Sequence, residues 1–270
     1  MHKKRKEITL RTILTILIVI CAIRQFMNQD YENVFICVLS LFLLGLPRLI
    51  SERLGINLPV FLECIIMLFI FSAEILGEVN AYYERIPMWD TMLHTINGFL
   101  MAAIGFSLVD IFNRSDRCLV KLSPLFVAIV AFCFSMTIGV LWEFFEFSMD
   151  SLFHMDMQKD FFVTSINSVA LNPTGANVPV HLRVDSLLVN GQDWIAAYGG
   201  YLDIGLIDTM KDLFVNFIGA VVFSIIGYFY VKHRGRGNLA PKFIPTVKRT
   251  NDGMDNFGNP IEPESSTRPS

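Results

Sequence analysis

The sequence predicts an all-α, polytopic membrane protein with six transmembrane helices and one long loop on the outer side. Three observations lead there. Hydrophobic residues make up 53% of the 270 and charged residues only 17%, against about 45–50% and about 25% in soluble globular domains. Mean hydropathy is +0.49. The apolar residues, 24 Phe and 12 Met among them, gather into six stretches long enough for the roughly 20 residues a membrane crossing requires. This composition excludes a soluble enzyme and a disordered regulator. A net charge of −3 gives no reason to expect a nucleic-acid partner.

The spans run over about Ile8 to Met27, Asn33 to Ile50, Leu58 to Gly77, Asp90 to Phe112, Pro124 to Phe147 and Ile207 to Val231. Length decides each of them, because lipid and neighbouring helices accept apolar side chains alike and blur the helical period. Pro47, Pro59 and Pro124 sit near span ends, where a missing N–H costs little. The basic start His2-Lys3-Lys4-Arg5-Lys6 resembles a signal peptide. No small-x-small cleavage site follows it, and five further spans do, so it reads as an uncleaved anchor. Five cysteines form no Cys-x-x-Cys pair, and four of them lie in apolar runs, which argues against a disulfide framework or a zinc knuckle.

Basic residues orient a membrane protein. An inside N-terminus leaves 17 of the 22 Lys and Arg on the cytoplasmic side; the exceptions are Arg24, Arg85, Lys159, Arg183 and Lys211. Both termini are therefore expected in the cytoplasm of a cell whose plasma membrane holds the chain. Residues 1–233 form the membrane domain. Within it, about 150–204 is an outer excursion containing Asn-Pro-Thr-Gly and a Val-Asn-Gly-Gln stretch that reads as a tight β-hairpin turn. Residues 234–270, rich in Gly, Pro, Asn and Ser, read as a disordered cytoplasmic tail.

Against this apolar background the intramembrane charges stand out, since each costs about 2.5–3.5 kcal/mol on insertion scales. Asp90 and His94 stand four apart at the start of the fourth span, with Gly98, Ala102 and Gly105 following at spacings that let another helix approach. Glu143, Glu146 and Asp150 form one stripe at the end of the fifth. Asp208, Asp212 and Asn216 form another at the start of the sixth, and Glu74 and Glu78 end the third. With the orientation above, all of these fall at outer ends. His94, Glu143 and Asp212 lie roughly 6–8 Å inside the boundary at 1.5 Å per residue. So many carboxylates in low dielectric cannot all stay ionised without cations. An imidazole among them suits a divalent metal such as Zn²⁺ or Mn²⁺. The expected ligands are His94, Glu143 and Asp212, and the expected catalytic groups are Glu146, as general base, and Asp208. Asp90, Asn216, Glu74 and Asp150 are expected to bind or orient. Glu74 reads equally as an interhelical hydrogen-bonding residue, and Asp150 as an interfacial one. Trp89 and Trp142 read as belt aromatics.

The stretches Asp90-x-x-x-His94 with Gly98, Trp142-Glu143-Phe144-Phe145-Glu146 with Asp150, and Asp208-Thr209-x-x-Asp212 with Asn216 and Gly219-Ala220 resemble those of YjdF-like bacterial inner-membrane proteins. That family has no established activity. A more distant similarity is to VanZ-like proteins, some of which are tied to glycopeptide resistance. The resemblance supports the choice of site residues and supplies no reaction.

Three functions fit the sequence. One is a metal-dependent enzyme acting on a lipid or lipid-linked cell-envelope substrate, with membrane lipids as its partners. A second is a proton or cation transporter. The absence of an inverted repeat, and of polar residues reaching the inner face, weighs against that. The third is a protein that binds an envelope ligand, as in resistance, without chemistry.

Overall fold

The computed structural model describes residues 2–53, 55–114, 122–233 and 240–247. It is mostly helical, and six of its helices are long and apolar enough to cross a membrane. They cover Glu7–Met27, Tyr31–Arg53, Val60–Val79, Trp89–Asp110, Pro124–Phe153 and Leu206–Lys232, so every span expected from the sequence is present. The chain divides into two compact units, one made of Met1–Gly139 with Val215–Ser270 and the other of Val140–Phe214.

In the first unit, α1 (His2–Met27) and α2 (Tyr31–Arg53) fold back on each other through a three-residue turn. Asp30 stops the chain there and starts α2, its carboxylate accepting the Asn33 backbone N–H at 3.1 Å, which satisfies an otherwise orphaned helix-start donor. α3 (Val60–Ile70) begins directly after Pro59 and then widens into a π-helical stretch, Phe71–Val79. A one-turn helix, α4 (Tyr82–Arg85), leads to α5 (Trp89–Arg114). α6 (Pro124–Phe153) and α8 (Leu206–Lys232) complete the spans.

Of the six spans, α5 is the most deeply buried, and small residues explain it. A Cβ at Gly98 would collide with the backbone carbonyl of Asn216, and one at Gly219 with that of Thr95. The backbones of α5 and α8 therefore touch, as small residues at i and i+4 permit between membrane helices. Beside this crossing lies the main core, built around Leu62, Leu100, Phe106, Val127, Ala131 and Phe223. Leu14, Ile18, Cys37, Leu44 and Met67 form a second one between α1, α2 and α3.

The expectation of a disordered tail needs correcting over 240–247. Ala240, Phe243 and Ile244 are buried in the main core. Strand β8 (Thr246–Val247) pairs antiparallel with β1 (Ile56–Asn57). The cause is tertiary: three apolar side chains find a receiving surface that composition alone does not reveal. The rest of the expected tail lies outside the described residues.

The second unit holds the long loop. Its short strands pair antiparallel as β2 (Phe162–Val163) with β7 (Tyr201–Leu202), β3 (Ser165–Ser168) with β4 (Val180–Arg183), and β5 (Leu188–Val189) with β6 (Gln192–Asp193). The hairpin expected at Val-Asn-Gly-Gln is the last of these. Asn190 and Gly191 both take positive φ, 51° and 84°, as a two-residue turn matched to strand twist requires. Asp193 then caps the short helix α7 (Trp194–Tyr198), accepting the Ile195 N–H at 3.0 Å.

The candidate site at the polar helix ends

The end of α6 is an amphipathic helix turned inside out. Glu143 and Glu146 are buried, at 4% and 8% exposure, whereas Leu141, Trp142, Phe144, Phe145 and Phe147 are exposed. The start of α8 repeats the pattern: Asp208, Asp212 and Asn216 are buried at 8%, 3% and 1%, with Leu206, Met210 and Phe214 outside. In water this arrangement would be strongly unfavourable. Surrounded by hydrocarbon it is the expected one. Helical spacing puts the polar residues of each helix on one stripe, and that stripe faces protein.

Local contacts fix several of these groups. The Trp142 indole N–H donates to Glu146 Oε1 at 2.8 Å, one helical turn apart. Trp142 thus aims a carboxylate, beyond the belt role expected for it. Lys211 lays its ammonium over the Phe161 ring, 3.3 Å from the centroid, a cation–π contact. Asp150 accepts the backbone N–H of Met157 at 2.6 Å and of Gln158 at 2.9 Å, one on each carboxylate oxygen. Asp208 accepts the Lys159 N–H at 2.7 Å. The Gln158 amide donates to the Thr209 hydroxyl. Asp203 joins the Phe161 N–H to the Ile207 N–H, at 2.7 and 2.8 Å. Three aspartates therefore hold the segment 157–161 through backbone donors. Asp203, Gln158 and this whole arrangement escaped the sequence reading, because the partners are backbone groups without a residue signature.

The first unit holds a different polar set. His94 is buried at 8%, and its Nε2 lies 3.4 Å from Asp90 Oδ1, the i, i+4 contact the spacing predicts. Asn97 and Asn216 join through their side-chain amides at 3.3 Å. The Ser135 hydroxyl donates to the Gly98 carbonyl at 2.7 Å. Asn97 continues the stripe of Asp90 and His94 at i+7, a signal that was present in the sequence. Glu74 lies half-buried in the π-helical stretch and Glu78 is exposed. Also buried are Glu63 and Asp110, on α3 and α5. Asn216 belongs to this unit, and Glu143, Glu146, Asp150, Asp208 and Asp212 to the other.

Outside the helices, the Asp193 carboxyl is held below its ordinary value by the backbone N–H of Leu187, with further help from the Ser186 hydroxyl and the Ala196 and Ile195 N–H groups. Asp160 moves the other way, raised by burial first and then by Asp156.

A family model described as a predicted membrane protein, DUF2238, matches residues 9–233. The chain belongs to this family. Membership agrees with the YjdF-like resemblance, since YjdF is itself a member, and lends no support to the VanZ-like one. No curated protein and no solved structure matches the chain.

Proposed function

We propose that this protein is a metal-dependent membrane enzyme acting on a lipid or lipid-linked cell-envelope substrate. The observation that carries the reading is the inverted polarity of the α6 end and the α8 start, which keeps four carboxylates away from lipid. Ionisable groups at membrane depth need an electrostatic reason to persist. A bound cation supplies one, because clustered carboxylates in low dielectric repel. The ligand set remains the one the sequence proposes, Glu143 and Asp212 as carboxylates and His94, which Asp90 holds, as the nitrogen donor. Such a donor set suits Zn²⁺ or Mn²⁺, and a metal lowers the pKa of its bound water enough for hydrolysis near neutral pH. Glu146, aimed by Trp142, serves as general base. Asp208, oriented by the Lys159 N–H, is the second catalytic carboxylate, and Asn216 orients through its amide. The polar ends face outward across the plasma membrane, with both termini in the cytoplasm.

The test is elemental analysis of the detergent-purified protein after loading with Zn²⁺ or Mn²⁺ and dialysis. A stoichiometric ion is expected in the wild type and its loss in His94→Ala and Glu143→Ala. A wild type without a retained ion would overturn the metal reading. Proton or cation flux in proteoliposomes, abolished by Glu143→Gln, would instead support a transporter.

A further inference from the structure

The first unit contains a cavity of about 540 Å³ that plays no part in the proposed chemistry. It lies between α3 with the start of its π-helical continuation, α5 and α8, and Phe243 of the C-terminal segment contributes to its wall. Its wall along α5 includes Met92, Ile96 and Phe99. Leu93, Thr95 and Leu100 complete that wall, and neither Asp90 nor His94 is part of it. The cavity is therefore separate from the His94–Asp90 pair.

Three features identify its occupant. Its lining is apolar apart from Ser72 and Thr95. The Thr95 hydroxyl is already used, donating to the Thr91 carbonyl at 2.7 Å, and the Ser72 carbonyl takes the Trp89 indole N–H at 3.3 Å. Second, Leu68, Met92, Ile218 and Val222 line it and are also surface-exposed, at 39% or more. The cavity thus opens sideways between spans, where the surroundings are lipid tails. Third, its volume falls in the range of pockets that hold whole small ligands, about 300–1,000 Å³, too large to be a packing void. The wall along α5, from Met92 to Leu100, is about 12 Å long. It carries no Lys, Arg or His to meet a free fatty acid's carboxylate.

We infer that this cleft holds one acyl chain of a bilayer glycerolipid, with its headgroup outside the cleft and its inner end closed by Phe243. The Phe243 ring stands edge-on to Phe61 at 5.2 Å and Phe99 at 4.9 Å, so the segment 240–247 acts as a plug tied down by the β1–β8 pair. This inference stands independently of the metal reading.

The experiment uses the full-length protein in vesicles containing phosphatidylcholine with a diazirine in one acyl chain, and maps cross-links by mass spectrometry. Labelling is expected to concentrate several-fold on Leu68, Met92, Ile96 and Val222 relative to the exposed α1 residues Ile16, Ile20 and Ile23. Thr95→Trp, which fills the cleft, should abolish the excess and leave α1 labelling unchanged. Phe243→Ala, which opens the closed end, should raise labelling at Phe99. Should Thr95→Trp misfold, Val222→Trp tests the same filling from α8. Even labelling over all lipid-facing residues of the wild type would overturn the proposal. So would an excess that survives filling in a folded variant.

Discussion

At the scale of single residues, two kinds of constraint separate cleanly. Gly98 is fixed by contact, because the Asn216 carbonyl occupies the space a Cβ would need. Gly98→Val must push α5 and α8 apart, and overpacking of this sort costs about 1–3 kcal/mol. Thermal unfolding in detergent should show a clear drop in Tm. By comparison, Ser135→Ala removes one hydroxyl bond to the Gly98 carbonyl. Interhelical hydrogen bonds in membranes average about 0.6 kcal/mol, so its Tm should move much less. Equal losses from the two variants would contradict the close-packing account. Asp90 is a positioning residue: it touches His94 at 3.4 Å and fixes the ring that is proposed to donate to the metal. Asp90→Asn should therefore weaken metal retention about 10–100-fold while the unfolding temperature without metal stays near that of the wild type. Retention unchanged would remove Asp90 from the site.

Elements show where the sequence was readable and where it was not. The six spans followed from apolar length, and the β5–β6 hairpin from Asn190-Gly191, because both signals are local. The fifth span reads as about Pro124 to Phe147 from its apolar length, and the helix that carries it runs on to Phe153, where Asp150 accepts from the loop that follows. Nothing in the residues around 240–244 announces that Phe243 and Ile244 will be buried, since their partners lie on α3, α5 and α8. For the loop, Asp150→Ala deletes the acceptor for the Met157 and Gln158 N–H groups. Hydrogen exchange should accelerate at 157–158 and remain slow in the body of α6. The Asp193 carboxyl, held low by backbone donors, gives a pH dependence of known sign. A depressed carboxyl contributes stability that is present above its unfolded value, near 3.8, and lost as pH falls through the lower folded value. Protection of the 187–196 amides, relative to their intrinsic exchange, should therefore fall as pH drops from 3.8 through the lower folded value, and Asp193→Asn should flatten the response. A profile unchanged by that substitution would assign the effect elsewhere.

For the whole molecule, the six candidate spans among the described residues and the charge distribution together propose that both termini lie in the cytoplasm. Alkaline phosphatase fused after Phe153 should then be active and after Lys232 inactive; the reverse pattern would invert the orientation. The candidate site was legible as a set of residue types on helical stripes. Its inside-out burial was not, because a sequence gives the stripe and not the side it faces. On the metal reading, an ion bound only to the folded state stabilises it by mass action, about 2.7 kcal/mol at a hundredfold excess over Kd. The unfolding temperature of the detergent-purified protein, measured with and without Zn²⁺ or Mn²⁺ for the wild type and for Glu143→Gln, tests this directly. The ion should raise the Tm of the wild type by several degrees and leave that of Glu143→Gln unmoved. A wild-type Tm indifferent to the ion, or the same rise in both proteins, would contradict the metal reading.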